Sequence, residues 1–455
     1  MCLAILPSRM LIRYLCLLSA LFNKRKTNQE KYGMVAMKLD LFCLLQKEMI
    51  LALGCTEPVA LAYAGAVVKK HLGAEPEGMI IHCSPNIIKN VKSVIVPQTN
   101  GMKGIDVACI TGACFGDAEK GLEVLSMMTK EQTALCASRA ASIPCKIKVL
   151  KSKSALHFIV EGYYKNTHVS VEVKDEHTRI VRITRNNNII FAEENDSPLQ
   201  SSNDDVESYT VNDIIHFARH VDYEPLREQL SQSIDCNLEI AHEGLQKDYG
   251  INVGKTLLMT GDNNIRNLAK SYAAAASDAR MSGCSLPVMI NSGSGNQGIT
   301  VSLPVIMYAR HINATEDNLF RALILSNLIA LYEKSFIGKL SAYCGVVCAS
   351  SGAAAAITFL KGGNDYQIES AVINTLGTLS GIICDGAKPS CAAKIAGCVD
   401  TAFTCVEMAL CHQRMSDGDG IVKNGLDKMA LSVGNLACDG MRVTDQVILK
   451  IMLEQ

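Results

Sequence analysis

Between Leu41 and Met49 the apolar side chains Leu41, Phe42, Leu44, Leu45 and Met49 fall at three- and four-residue spacing. That period predicts an amphipathic helix ending at Gly54. A second helix is predicted to follow at once, with Thr56 as its N-cap, Glu57 and Pro58 in its first turn, and helix-forming residues from Ala60 to Lys70 before Gly73. Cys55 then lies at a helix start, where free N–H groups and the helix dipole favour a thiolate. From Lys146 to Phe191 the period shortens to two. Phe158-Ile-Val160, the alternating Val169, Val171 and Val173, and Ile180 to Ile183 are separated by polar breaks at Lys165-Asn166, Asp175 to His177 and Asn186 to Asn188, which predicts an antiparallel sheet. A polar linker, Glu193 to Asp205, closes that segment, and a helical pattern resumes at Val211 to His220.

Beyond Gly254 the chain is rich in Ala, Leu, Ile and Gly, with Ala273 to Ala276 and Ala353 to Ala356 where helices can approach closely. The expected fold is α+β. A mostly helical catalytic domain is formed by residues 37–80 and 255–455, and a smaller α/β domain with the antiparallel sheet, residues 81–254, is inserted in it. Residues 1–36 are set aside as an N-terminal extension. Leu15 to Phe22 is apolar but too short to cross a bilayer, Lys24-Arg-Lys26 follows it, and the segment reads equally as a non-native start and as a targeting sequence.

Composition narrows the class. With 48% hydrophobic and 20% charged residues the chain can build a large core, and 44 basic residues against 45 acidic ones leave no electrostatic footprint for nucleic acid or an anionic membrane. A small-molecule partner fits better, and a homo-oligomer is compatible with this length. The nineteen cysteines are scattered rather than framed as a disulfide scaffold, so a reducing, cytoplasmic setting is expected. For isolated members such as Cys43, Cys136 and Cys236 the simplest role is that of a buried small hydrophobe.

Two loops imitate phosphate cradles. Gly250-Ile-Asn-Val-Gly254-Lys-Thr256 has three residues between its glycines where the nucleotide-triphosphate loop has four. Gly293-Ser-Gly295-Asn-Gln-Gly298 fits the dinucleotide spacing, and Leu286 to Ile290 could be a strand before it, but Pro304 falls in the following helix and no βαβ unit surrounds it. Asn291, Ser292, Asn296 and Gln297 nonetheless concentrate neutral hydrogen-bonding groups in an apolar stretch, as a binding loop for a small polar substrate would.

The strongest chemical signal is Cys384-Asp-Gly-Ala-Lys-Pro-Ser-Cys391, forty residues after Cys344. Cys384 is expected to close one helix and Cys391 to open the next, with Ser390 as its cap, so the two thiols can converge on one metal centre. Cys344 and Cys348 lie one helical turn apart, and either could supply a third ligand. The spacing lacks the paired knuckles of structural zinc.

Leu51-Ala-Leu-Gly-Cys55-Thr-Glu-Pro58, Met102-Lys-Gly-Ile105, the Gly293 to Gly298 loop, Cys344-Gly-Val-Val-Cys348 and Ile383-Cys-Asp-Gly-Ala-Lys388-Pro-Ser-Cys391 together resemble the L-cysteine desulfidase family, a relative of the iron–sulfur L-serine dehydratase alpha chain. The resemblance runs from about Met37 to the C-terminus. It implies a [4Fe-4S] cluster on Cys344, Cys384 and Cys391 and the family's further cysteine, the expected catalytic base, at Cys55. The implied reaction is β-elimination of sulfide from L-cysteine, giving pyruvate, ammonia and hydrogen sulfide. Lys388 would pair with the substrate carboxylate or the cluster, and Glu57 with the substrate ammonium. Serine dehydration with the same cluster and a non-catalytic iron–sulfur protein are the competing readings. A pyridoxal-phosphate lyase ranks below them, because no lysine has a persuasive Schiff-base context.

Overall fold

Leu51–Leu53 (β1) is a short apolar segment that would gain little as the last turn of a helix, because a strand partner waits for it in Pro287–Met289 (β8). The two pair antiparallel, Leu51 opposite Met289 and Leu53 opposite Pro287. The computed structural model describes residues 41–193 and 209–454, so the 1–36 extension and most of the polar linker lie outside the described residues. The expected helix up to Gly54 therefore stops at residue 48, and strand pairing takes over.

The protein is α+β. A six-stranded sheet has the order β3-β2-β4-β5-β6-β7, formed by β2 (Gly78–Cys83), β3 (Cys145–Val149), β4 (His157–Tyr164), β5 (Thr167–Lys174), β6 (Ile180–Arg185) and β7 (Asn188–Ala192). It is mixed rather than wholly antiparallel as expected, because β2 arrives from upstream and runs parallel to β3. The alternation does what its period predicts. Phe158, Val160, Val169, Val171 and Val173 are fully buried on the face that packs on α1 (Thr56–Leu72). α1 also crosses α3 (Ile105–Phe115) closely enough that a Cβ on Gly112 would stand 1.9 Å from the Ala62 carbonyl oxygen. The short α2 (Pro85–Val91) follows β2, and α4 (Lys130–Ser142) precedes β3.

The rest is helical: α5 (Val211–His220), α6 (Arg227–Gln246), α7 (Val253–Thr260), α8 (Ile265–Met281), α9 (Gly295–His311), α10 (Glu316–Ile337), α11 (Gly345–Leu360), α12 (Asp365–Leu379), α13 (Cys391–Leu410), α14 (Leu426–Asn435) and α15 (Met441–Leu453). α11 is central, packed by α9, α10, α12 and α13, and its Ala353 to Ala356 are fully buried. α9 runs through Pro304, so that proline does not break the helix as a propensity argument expects; packing on all sides overrides it. No described helix is long and apolar enough to cross a membrane.

Candidate active site

Two short backbone pairings assemble the site. The β1–β8 ladder, extended by a bond from Ile290 N to Ile50 O at 2.9 Å, sets Cys55 and Glu57 beside the Asn291 to Gln297 loop. An isolated bridge between Tyr343 and Ile383 joins the second pair of segments: Cys344 N donates to Ile382 O at 3.1 Å and Cys384 N to Ala342 O at 2.6 Å. The buried Tyr343 hydroxyl bonds Ser380 Oγ at 3.0 Å and locks this bridge from below.

Cys344 is the N-cap of α11 and Cys391 the first residue of α13. Ser390 occupies the N-cap position of α13 as expected, but its side chain makes no capping bond. The loop between Cys384 and Cys391 turns at Gly386, whose φ of 94° suits glycine and whose missing Cβ would lie 2.4 Å from Lys89 O. Through that contact α2 presses on the loop, and Lys89 Nζ reaches Cys384 O at 3.3 Å.

Burial first, then the neighbouring Cys384 and Cys398 thiols, push Cys344 well above the ordinary thiol range. Burial likewise raises Cys391, with Lys388 pulling it back. Cys348, one turn along, is directed elsewhere: after burial its main electrostatic neighbour is Glu333, which also accepts from Ser351 Oγ at 2.7 and 2.6 Å. Buried thiols such as Cys344 and Cys391, whose ionisation a neighbouring thiol opposes, become thiolates readily around a cation, so with Cys384 they form a donor set that suits a metal centre with soft ligands. Among the described residues no three His, Cys, Asp or Glu side chains converge as a single ion requires. A multi-iron cluster takes one thiolate per iron and spreads its ligands wider.

Cys55 shares a small buried cluster with Val94 and Met281, against which Ala387 and Cys391 pack, so the base expected from the sequence lies near the cysteine loop. Its state differs from expectation. Cys55, not Thr56, is the N-cap of α1, and burial, followed by the charge of Glu57, pushes its thiol well above the usual range, outweighing the helix start and Arg280. Cys55 Sγ donates to Glu57 Oε2 at 3.1 Å, as does Thr56 Oγ1 at 3.1 Å, while Asn90 Nδ2 donates to Oε1 at 3.0 Å. Burial alone would raise Glu57, but the facing His177 imidazole and the bond from Cys55 hold it at about 2. His177 Nε2 stands 3.9 Å from Oε1, an electrostatic approach rather than a hydrogen bond.

His177 lies in the β5–β6 turn of the sheet and was missed from sequence, where it reads as a turn residue. A Cβ on Gly293 would come 2.9 Å from its ring, so the turn rests against the glycine loop. In that loop Ser292 has a positive φ of 48° and is buried. Asn291 Nδ2 bonds Asn327 Oδ1 at 2.9 Å, and Asn296 Oδ1 accepts from Arg280 Nη1 at 3.0 Å and from Ser277 Oγ at 3.2 Å. Gln297 packs against Gly345, next to Cys344. The Asn90, Asn291 and Gln297 side-chain oxygens, His177 Nε2 and Arg280 Nε are all buried without a hydrogen-bond partner. Such a gathering of unmet polar atoms is costly unless a polar ligand meets them.

Lys388 is not free for a substrate: it pairs with Asp385 and donates to Gly386 O at 3.1 Å, and Lys394 pairs with the same carboxylate. The Gly250 to Gly254 loop proves to be an anion cradle already filled from within. Gly254 N donates to the buried Asp278 Oδ2 at 3.0 Å, and the neighbouring Val253 and Ile251 amides offset part of the rise that burial imposes on this carboxyl. In the other look-alike, Gly298 serves close packing, since a Cβ there would stand 1.9 Å from Met289 O. An open hollow of about 620 Å³, lined by Leu51, Tyr63, Gly121, Thr178 and Met289, includes none of Cys344, Cys384 and Cys391.

A family comparison places the protein among the serine dehydratase-like lyases. The serine dehydratase alpha chain family matches residues 119–450, and the chain belongs to that family. It is 48% identical to a UPF0597 protein of Lachnoclostridium phytofermentans over 90% of this chain and 98% of that one. A UPF0597 protein of Treponema denticola is 42% identical over 94% and 99% of the two chains, and one of Desulfitobacterium hafniense is 43% identical over 90% and 96%.

Proposed function

We propose that this lyase eliminates sulfide from L-cysteine, giving pyruvate, ammonia and hydrogen sulfide, with a [4Fe-4S] cluster held by Cys344, Cys384 and Cys391. The observation that supports the reading is that the Tyr343–Ile383 bridge sets the Cys344 segment beside the Cys384 segment, that Cys384 and Cys391 both act on the Cys344 thiol, and that Cys391 packs against the small buried cluster containing Cys55. When bound, the cluster supplies an iron without a protein thiolate, a soft Lewis acid suited to a departing sulfur.

The chain's own residues supply the rest. Glu57, held ionised, receives the substrate ammonium, with Asn90 fixing the carboxylate's orientation. That ammonium cancels the charge which opposes ionisation of Cys55, so substrate binding itself favours the thiolate that takes the Cα proton. Buried walls around Cys55 keep bulk water from competing for this proton. Loss of sulfide leaves aminoacrylate, which hydrolyses to pyruvate and ammonia.

The family description favours a second substrate, L-serine, on the same site. Anaerobic reconstitution with iron and sulfide, followed by assay of sulfide and pyruvate from L-cysteine with L-serine in parallel, decides between them. Sulfide release that survives both Cys384→Ser and iron chelation would eliminate the proposal, and a loaded protein inert to both amino acids would leave only a non-catalytic iron–sulfur role.

A further inference from the structure

Arg280, near the end of α8, is a buried guanidinium without a counter-ion among the described residues. It is 2% exposed, its Nε has no partner, and its bonds are from Nη1 to Asn296 Oδ1 at 3.0 Å and to Met281 Sδ at 3.9 Å. The surroundings aim it rather than neutralise it. Asn296 Oδ1 is shared with Ser277 Oγ, and a Cβ on Gly295 would stand 2.2 Å from Nε, so the guanidinium lies directly on the backbone that opens α9. It is close enough to Cys55 to act on that thiol, and Met281 beside it shares a buried cluster with Cys55.

The other cations around the cysteines are accounted for. Lys388 and Lys394 pair with Asp385, Lys339 with Glu48 at 3.0 Å, and Lys89 with Asp445. Lys334 donates to Lys339 O at 3.4 Å and lies toward Cys344, Cys348 and Cys384 rather than Cys55. A buried cation is kept in a fold when something anionic meets it, and a guanidinium presents a planar fork that matches a carboxylate.

We propose that Arg280 binds the α-carboxylate of the amino-acid substrate, a role expected above for Lys388. This rests on the proposed elimination reaction and deepens it. Arg280 then receives the carboxylate while Glu57 receives the ammonium, and the substrate is oriented by its two poles with its Cα near Cys55. Such a site demands a free α-amino acid and rejects thiols that lack the carboxylate.

The test uses the reconstituted holoenzyme, with iron content and far-ultraviolet circular dichroism checked for each variant. For Arg280→Met, KM for L-cysteine is expected to rise roughly 30- to 100-fold with kcat changed only a few-fold, while inhibition by cysteamine, which lacks the carboxylate, stays within about two-fold. Arg280→Lys keeps the charge but loses the fork, so an intermediate rise of roughly 5- to 10-fold is expected, and this variant carries the test if the methionine protein does not fold. Equal weakening of L-cysteine and cysteamine, or no change in either, would overturn the assignment while leaving the wild-type elimination intact. Wild-type holoenzyme that neither binds nor converts L-cysteine or L-serine would sink the elimination reading and this assignment together.

Discussion

At the residue scale the decisive interaction is between Cys55 and Glu57, 3.1 Å apart and buried together. A helix start ordinarily lowers a thiol, but its influence is a fraction of a charge, and burial beside a full carboxylate outweighs it. Glu57→Gln removes one of the causes that raise Cys55, so the alkaline-rising limb of kcat should move to lower pH while KM rises through loss of the ammonium partner. A pH–rate profile of the variant checks both; a limb that stays in place would remove Cys55 as the titrating base. Glu57 also titrates the fold. Its folded value of about 2 lies below its ordinary 4.5, so its contribution to stability is complete above 4.5 and is lost as pH falls toward 2. Denaturant unfolding between pH 5 and 3 should therefore be flatter for the glutamine variant than for the parent. Cys55→Ser should cut elimination by about 10²-fold or more with the iron spectrum retained, the usual size of a lost general base.

At the scale of elements, the position of α1 depends on its crossing with α3. Gly65 and Gly112 let the backbones approach, and Gly112→Ala would place a methyl 1.9 Å from the Ala62 oxygen. The helices must separate, at a cost of about 1–3 kcal/mol. Because α1 begins at Cys55, kcat should fall along with the unfolding midpoint, although Gly112 touches no substrate group. The Asp278 cradle is a second element-scale device. Replacing Asp278 with Ala strips the buried Gly254 amide of its acceptor, and a buried orphan costs about 1–3 kcal/mol. Urea unfolding should show a loss of about that size; a near-neutral result would mean that water replaces the carboxylate. The glycine spacing that set this loop aside as a phosphate cradle is consistent with its role here, where the Gly254 amide serves an internal carboxylate.

For the whole molecule, the sheet and the helical bundle meet at the site. The β5–β6 turn carries His177 to Glu57 and Gly293, and α2, which follows β2, sends Asn90 to Glu57 and Lys89 to the Cys384 loop. Cluster binding should therefore couple segments that are otherwise joined by single bridges such as Tyr343–Ile383. Iron removal is expected to lower the melting temperature by roughly 5–10 °C without changing the helical signal at room temperature, since ligand binding stabilises by mass action and the helices are packed by the core. A large loss of helix on chelation would mean that the cluster organises the fold itself.

Much of this was legible along the chain. Val211–His220 matches its predicted helix, the valine alternation in β5 gave its buried face, and the Cys384 to Cys391 spacing pointed to paired thiols, because these features depend on local period and on groups a few residues apart. What tertiary structure decided were matters of long-range contact. Residues 51–53 became a strand because β8 lay beside them, Cys344 rather than Cys348 met Cys384 because a bridge fixed its register, and Lys388 was spent on Asp385. Arg280 and His177 carry no sequence signal at all. Their chemistry comes from burial and from what faces them, and both are set by which distant segments fold against each other.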